Sequence, residues 1–189
     1  MGFLQHFNWI DILVGGLVAR AIYIGIKRGF VIEFFKLIGI IVALYITLHY
    51  CTAFSTFLYG KFRVQEALAN IFSFGFLWGM IIFVTKLVRD TLLMLVHMEP
   101  QGKLTQWGGF FLATIRGLLL ASLTLVYIEF INMESVVKYI RDSFTGPRVV
   151  RMAPDMYEAC YEGFIVKFFP KEELNKPVLK GKNPRRVNE

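Results

Sequence analysis

The chain has 189 residues, of which 56% are hydrophobic, and it carries a formal net charge of +7. Its mean hydropathy of +0.53 and the long apolar stretches between Gly29 and Ile131 indicate that lipid surrounds most of it, because about 20 apolar residues suffice to cross a bilayer. Four such spans with short connections would use more than half of the chain, which leaves little room for a separate soluble catalytic domain.

Four membrane spans are predicted, at about residues 10–26, 30–50, 67–90 and 107–131. Together they form a membrane domain over residues 1–131. Because the turn Lys27–Gly29 is so short, we expect the first two spans to form an antiparallel hairpin. The more polar segment Cys51–Asn70 is predicted as a loop that holds a short surface helix at residues 64–69. The predicted fold class is an all-α membrane protein with a bundle of four transmembrane helices.

The last quarter of the chain is charged and punctuated by prolines. Residues 132–169 are predicted as interfacial amphipathic helices. One of them is expected to run from Asp155 to Phe169, because Asp155 and Glu158 have the spacing of a capping box. Residues 170–189 are predicted as a basic, disordered tail.

Positive charge is concentrated at the span ends and in the last quarter of the chain. Basic residues at such places can meet anionic lipid headgroups. They are also an ordinary consequence of membrane topology. We therefore expect the lipid bilayer as a partner and no nucleic acid.

Small residues recur at every fourth position in three of the predicted spans, a pattern that lets helix backbones approach closely. These residues are Gly109, Ala113, Gly117 and Ala121 in the fourth span, Ala21, Gly25 and Gly29 in the first, and Gly75 and Gly79 in the third. Packing within one bundle is the main interpretation, and association between copies of the chain is the alternative.

Several charged residues lie within the predicted spans. Arg116 is near the middle of the fourth span, on the same side as its small residues. An arginine facing lipid at that depth would cost a few kcal/mol or more, so a partner is expected, and Glu33 and Asp11 are the candidates. Glu33 also shares a helix face with Lys36, whereas Arg20 lies on the face opposite Asp11. A structural ion pair is the main interpretation; an ion or proton relay and a snorkelling arginine are the alternatives.

Patterns typical of catalysis or metal binding are not found in the sequence. The histidines His6, His49 and His97 have no second ligand at metal-binding spacing, and Cys51 and Cys160 do not form a redox motif. No G-x-S-x-G pattern and no phosphate-binding glycine loop occurs. We therefore expect no catalytic residue, no metal and no cofactor, and a protein that is not an enzyme.

The stretch Asn8-Trp9-Ile10-Asp11, followed by Gly25, Lys27-Arg28-Gly29-Phe30-Val31-Ile32-Glu33 and Gly39, resembles the bacterial colicin V production protein family, CvpA. In that family an early aspartate opens the first span, and an R-G-F-x-x-E block joins the first two. The residues that match in order and spacing are Asp11, Arg28, Gly29, Phe30 and Glu33. The segment from Trp107 to Gly117 is similar to the family's glycine-rich fourth span. The similarity covers about residues 8–144, and Arg20 departs from the pattern.

The resemblance implies a multi-pass protein of the bacterial inner membrane that assists production or export of a peptide toxin and envelope maintenance, without a known reaction. The alternative is a small oligomeric channel or transporter in which Asp11, Glu33 and Arg116 line a polar path. A membrane enzyme acting on lipids is a third, weaker hypothesis. A second copy of the chain or other membrane proteins are possible partners. Basic residues are almost equally numerous on the two sides, so the orientation stays open.

Overall fold

The computed structural model of the chain describes residues 8–62, 65–95, 103–131, 134–168 and Asn175. Within these residues the chain is helical and has no strand, which confirms the all-α class. The helices are α1 (Trp9–Arg28), α2 (Phe30–Phe62), α3 (Glu66–Leu95), α4 (Lys103–Phe130), α5 (Glu134–Asp142), α6 (Gly146–Cys160) and α7 (Val166–Phe168), with a π-helical turn at Tyr161–Ile165 between the last two.

Three helices in the described part of the chain are long and apolar enough to cross a membrane, over Trp9–Arg28, Phe30–Lys61 and Lys103–Glu129. In α3 the run Leu68–Val84 is apolar, and charged residues follow from Lys86. These features support a multi-pass membrane protein with three candidate spans, and a membrane crossing by α3 stays a prediction.

The central helix of the bundle is α4. It packs against α1, α2 and α6, whereas α3 packs mainly against α2. Because Gly109 lies against Gly25 and Gly117 against Ala21, α1 and α4 run antiparallel. Phe30, at the start of α2, lies against Gly108, and α2 runs parallel to α4. The two helices of the expected hairpin thus run in opposite senses, but they barely touch because α4 lies between them.

Both ends of α1 are defined by local hydrogen bonds. At its start the Asn8 side chain accepts a bond from the Trp9 amide (2.8 Å), and Asp11 accepts one from the Asn8 amide (2.9 Å), which forms a capping box. At its end Gly29 has φ 79°, a left-handed conformation that glycine adopts without steric cost. Its amide still bonds to the Gly25 carbonyl (3.0 Å), so the turn into α2 is tight.

The predicted loop over Cys51–Asn70 is wrong, because α2 continues to Phe62 and α3 begins at Glu66. Polar side chains in this stretch are satisfied inside the helices. The Thr56 hydroxyl donates to the Thr52 carbonyl (3.0 Å), and the Ser55 hydroxyl donates to the Asn70 side chain of α3 (2.5 Å). Polarity here therefore serves the contact between α2 and α3. Val64, in the predicted surface helix, lies outside the described residues.

The predicted helix start at Asp155 is also wrong, because α6 begins at Gly146 and holds Pro154 in its interior. A proline lacks the amide that would bond back along the helix. The buried Ser122 hydroxyl of α4 fills this gap: it accepts a bond from the Ala153 amide (2.7 Å) and donates to the Val150 carbonyl (3.4 Å). A contact with another helix therefore stabilises the interruption, which sequence patterns within α6 do not reveal.

The buried core lies mainly between α2, α4 and α6. Its fully buried side chains include Leu44, Leu48, Leu123 and Tyr157. The buried face of α6 thus packs into the bundle, while Arg148, Arg151 and Asp155 are exposed. Whether that outer face lies on a membrane surface stays a prediction.

One residue of the predicted disordered tail is described, and it is anchored to α2. The Asn175 side-chain amide donates to the carbonyls of Leu48 (2.7 Å) and His49 (3.1 Å), and its backbone amide donates to the Tyr157 hydroxyl (3.1 Å). These contacts hold Asn175 against α2 and α6, in contrast to the disorder predicted for residues 170–189. The rest of residues 170–189 lies outside the described residues.

Candidate functional site

A buried group of charged residues joins α2 to α4. Glu33 is fully buried. One of its carboxylate oxygens accepts a hydrogen bond from the Arg116 Nε (2.8 Å), and the other accepts one from the Lys36 ammonium group. We call these three residues the ion cluster. Two cations share one carboxylate, so the cluster carries a net positive charge.

The positions of the cluster residues follow from helix geometry. Glu33 and Lys36 are three residues apart on α2 and therefore project from the same face. Arg116 reaches them from α4, which runs beside α2. A buried charge is tolerated only where it is paired and hydrogen-bonded. Each oxygen of Glu33 has a cationic donor, which satisfies that requirement.

The small residues of α1 and α4 pack directly against each other. A methyl group added to Gly25 would overlap the Ala113 side chain and lie 2.8 Å from the Gly109 carbonyl oxygen. One added to Gly109 would lie 2.5 Å from the Gly25 carbonyl oxygen, and one on Gly117 would lie 2.9 Å from the Ala21 side chain. The structure thus places these ladders in contacts within one chain. This close approach also brings Gly25 next to the Glu33 side chain.

Asp11 lies apart from the ion cluster. Its buried carboxylate accepts hydrogen bonds from the Thr145 amide (2.8 Å), the Thr145 hydroxyl (2.5 Å) and the Phe144 amide (3.3 Å). Asp11 therefore holds the start of α1 against the turn between α5 and α6. It precedes Gly25 by about 21 Å of helix at roughly 1.5 Å per residue. Of the two candidate partners for Arg116, the structure brings only Glu33 to it.

The other residues singled out in the sequence have varied surroundings. Arg20 and Arg28 are exposed, and Phe30 is partly exposed but packs over Gly108. Gly75 lies next to the Tyr127 hydroxyl, and Ala121 is fully buried. Gly79 is predicted to pack against another helix, but among the described atoms nothing lies within 4 Å of a methyl group built on it. It is exposed because α3 makes few contacts with α4.

Sequence reasoning missed a cavity of about 160 Å³ beside the ion cluster, between α2, α3 and α4. Its polar lining includes Lys36, Arg116 and Lys86. Lys86 lies near the end of the predicted third span, and nothing in its spacing indicates which helices it faces. The contacts of Ser122 and Thr145 were missed for the same reason, since each depends on where α6 packs.

The geometry of the ion cluster favours a structural role for Glu33. An ionised carboxylate can only accept hydrogen bonds, and both oxygens already bind cations. Within the described ranges, no three histidine, cysteine, aspartate or glutamate residues come close enough to hold a metal ion.

Comparison with known proteins identifies one family. The family model described as "Colicin V production protein" matches residues 10–154. No curated protein and no solved structure matches the chain. The matched range covers most of the 189 residues and includes Asp11, Glu33 and Arg116, which confirms the resemblance noted in the sequence. On this evidence the chain belongs to the colicin V production protein family, CvpA, as a multi-pass membrane protein.

Proposed function

We propose that this protein is a non-enzymatic component of the bacterial inner membrane that assists production or export of a colicin V-like peptide toxin and supports envelope maintenance. The family match over residues 10–154 supports this proposal. In it, the protein acts through its packed helices and its basic surface, which binds anionic headgroups. Its protein partners would be a second copy of the chain or other membrane proteins.

The observation that carries the proposal is the buried pairing of Glu33. This residue ends the R-G-F-x-x-E block that resembles the family, and it is fully buried with a cation on each oxygen. A carboxylate held in this way fixes the position of α2 against α4. We infer that the block serves the architecture of the bundle and not a reaction.

A producing strain that relies on this chain tests the role in toxin export. The chain would be replaced by Glu33→Gln or by Glu162→Gln, a matched change at an exposed position in the π-helical turn. We expect Glu33→Gln to reduce secreted toxin several-fold, because the bundle loses its buried anion, and Glu162→Gln to have no effect. Toxin activity in the medium is the measurement, at equal toxin transcription. Unchanged secretion after deletion of the whole chain would contradict the proposal.

The alternative of a channel receives less support from the geometry. Asp11 and Glu33 belong to separate hydrogen-bonded groups. Ion flux through reconstituted vesicles, abolished by Arg116→Leu, would favour the channel and count against the proposal.

We also propose that α3 crosses the membrane, which gives four spans and places both ends of the bundle's chain on one side. Support comes from its position beside α2 and its run antiparallel to α4, since Gly75 lies against Tyr127 and Lys86 lines the same cavity as Arg116. The apolar run Leu68–Val84 lies in a helix of 30 residues, and the long side chain of Lys86 after it can reach the interface.

Labelling of single cysteines tests the crossing by α3. With Cys51 and Cys160 changed to alanine, cysteines would be placed at Gln65 and Lys103, which are exposed positions before and after α3. Four spans predict that a membrane-impermeant maleimide added to intact spheroplasts labels only one of the two positions. Labelling of both from the same side would show that α3 does not cross. The labelled position also gives the orientation of the protein.

A further inference from the structure

The cavity beside the ion cluster has a charged end and an apolar end. Lys36, Arg116 and Lys86 line it on three different helices, and so do Ile40, Ile82 and Leu120. Each apolar residue follows or precedes its basic neighbour on the same helix by four residues, which is about one turn or 6 Å. Since α2 runs parallel to α4 and antiparallel to α3, all three apolar residues lie on the same side of the three cations.

Positive charge exceeds negative charge among the described side chains that line the cavity and the carboxylate that contacts them. Glu33 neutralises one of the two cations that it contacts, and Lys86 adds another on α3. Asp90, one turn further along α3, is not among the lining residues. Excess charge close to hydrocarbon is costly without a counterion, so the charged end of the cavity is suited to an anion.

The donors that remain at the charged end suit a phosphate group. Glu33 takes the Arg116 Nε–H, and a guanidinium has further N–H donors in the same plane. Arginine and lysine are the residues that proteins use most for phosphate oxygens. A cavity needs about 10–15 Å³ on this measure to hold one water, so about 160 Å³ accommodates a tetrahedral oxyanion.

The shape of the cavity points to a ligand with a hydrocarbon chain. Near Tyr127, α3 and α4 are in contact. The Tyr127 ring stacks on Phe74 with centroids 5.2 Å apart, and its hydroxyl lies close to Gly75. Near Lys86 and Arg116 the cavity lies beside both helices, which make few contacts with each other. Ile82, which lines the cavity, is exposed on α3, where lipid chains would surround it in a membrane.

We propose that the crevice between α3 and α4 binds the phosphate of an anionic lipid, with Lys36, Lys86 and Arg116 around the phosphate and the chain against Ile40, Ile82 and Leu120. Glu33 holds Lys36 and Arg116 in place and neutralises one of their two positive charges. This site does not depend on a role in toxin export, and the two proposals fail separately.

Lipid titration of the full chain tests the site. The purified protein in a non-ionic detergent would receive phosphatidylglycerol, phosphatidylcholine or inorganic phosphate, and native mass spectrometry would count bound molecules. We expect one phosphatidylglycerol to bind in preference to phosphatidylcholine, and inorganic phosphate neither to bind at lipid concentrations nor to displace it. Equal binding of both lipids would overturn the proposal. Displacement by inorganic phosphate would overturn the lipid assignment and indicate a site for the free anion.

Substitution of Lys86 separates this site from general attraction to basic surfaces. Lys86 is exposed and outside the ion cluster, so Lys86→Gln should keep the wild-type melting temperature in lipid-free detergent. We expect it to weaken phosphatidylglycerol binding about tenfold, as the loss of one charged hydrogen bond does, and Lys86→Arg to restore it. Lys61→Gln, at an exposed lysine near the other end of α2, is the matched control. Equal affinity of Lys86→Gln and wild type would overturn the proposal.

Discussion

Glu33→Gln is expected to destabilise the bundle by about 3–5 kcal/mol, the usual cost of leaving a buried charge without its partner. The substitution keeps the shape of the side chain but leaves both Arg116 and Lys36 without an anion. Removal of Arg116 should cost less, because Glu33 keeps Lys36. Melting temperatures of purified variants in one detergent measure these differences.

A double-mutant cycle isolates the pair. If Glu33 and Arg116 interact as the structure shows, Glu33→Gln combined with Arg116→Met should be less destabilised than the sum of the single changes. Arg20→Met is the matched control, because Arg20 is an exposed arginine within a span, and it should lie within about 0.5 kcal/mol of wild type. Additive effects at Glu33 and Arg116 would show that the ion pair does not hold the bundle.

Gly25→Ala is expected to destabilise the protein by about 1–3 kcal/mol, as overpacking does elsewhere. The added methyl group meets the Ala113 side chain and the Gly109 carbonyl, so α1 must move away from α4. Gly16→Ala is the matched control in the same helix, because nothing lies within 4 Å of a methyl group there among the described residues. That control should be neutral or slightly stabilising, since alanine favours a helix by about 0.5–1 kcal/mol over glycine.

Gly25→Ala should lower the stability, whereas Gly16→Ala should leave it unchanged or raise it slightly, so the comparison isolates the contact between α1 and α4. Thermal melting in detergent measures both, and stability of the variants in membranes can be followed by resistance to proteolysis. A loss of stability at Gly16 equal to that at Gly25 would mean that α1 tolerates no added bulk anywhere, and the contact with α4 would not explain it. If Gly25→Ala were as stable as wild type, the close packing of α1 on α4 would be contradicted.

Much of the architecture could be anticipated from residue patterns. Apolar length indicates helices in lipid, and an arginine at mid-span requires an anion, which made Glu33 a candidate partner for Arg116. The choice between Glu33 and Asp11 could not be made, because it depends on Thr145, a residue far along the chain that binds Asp11. Capping and spacing rules relate residues within a few positions of each other, so they do not predict a contact between residues so far apart in the sequence.

Errors arose where tertiary contacts override local signals. The polar residues after Tyr50 suggested a loop, but Ser55 and Thr56 find partners in α3 and α2 and the helix continues. Pro154 suggested a boundary, but the Ser122 hydroxyl replaces the lost backbone contact. In both cases a serine hydroxyl makes a hydrogen bond to a neighbouring helix. The sequence does not show which hydroxyl will lie close enough to do so.

The central position of α4 has a consequence for biogenesis. Translation delivers α1 and α2 before Lys103–Phe130, the helix that packs between them in the folded protein. During that interval Glu33 has no Arg116, but Lys36 arrives with it on the same helix and supplies an immediate counterion. The nascent protein can therefore carry Glu33 into the bilayer as a neutral pair with Lys36. When α4 is made, it adds Arg116 to this pair and packs between α1 and α2.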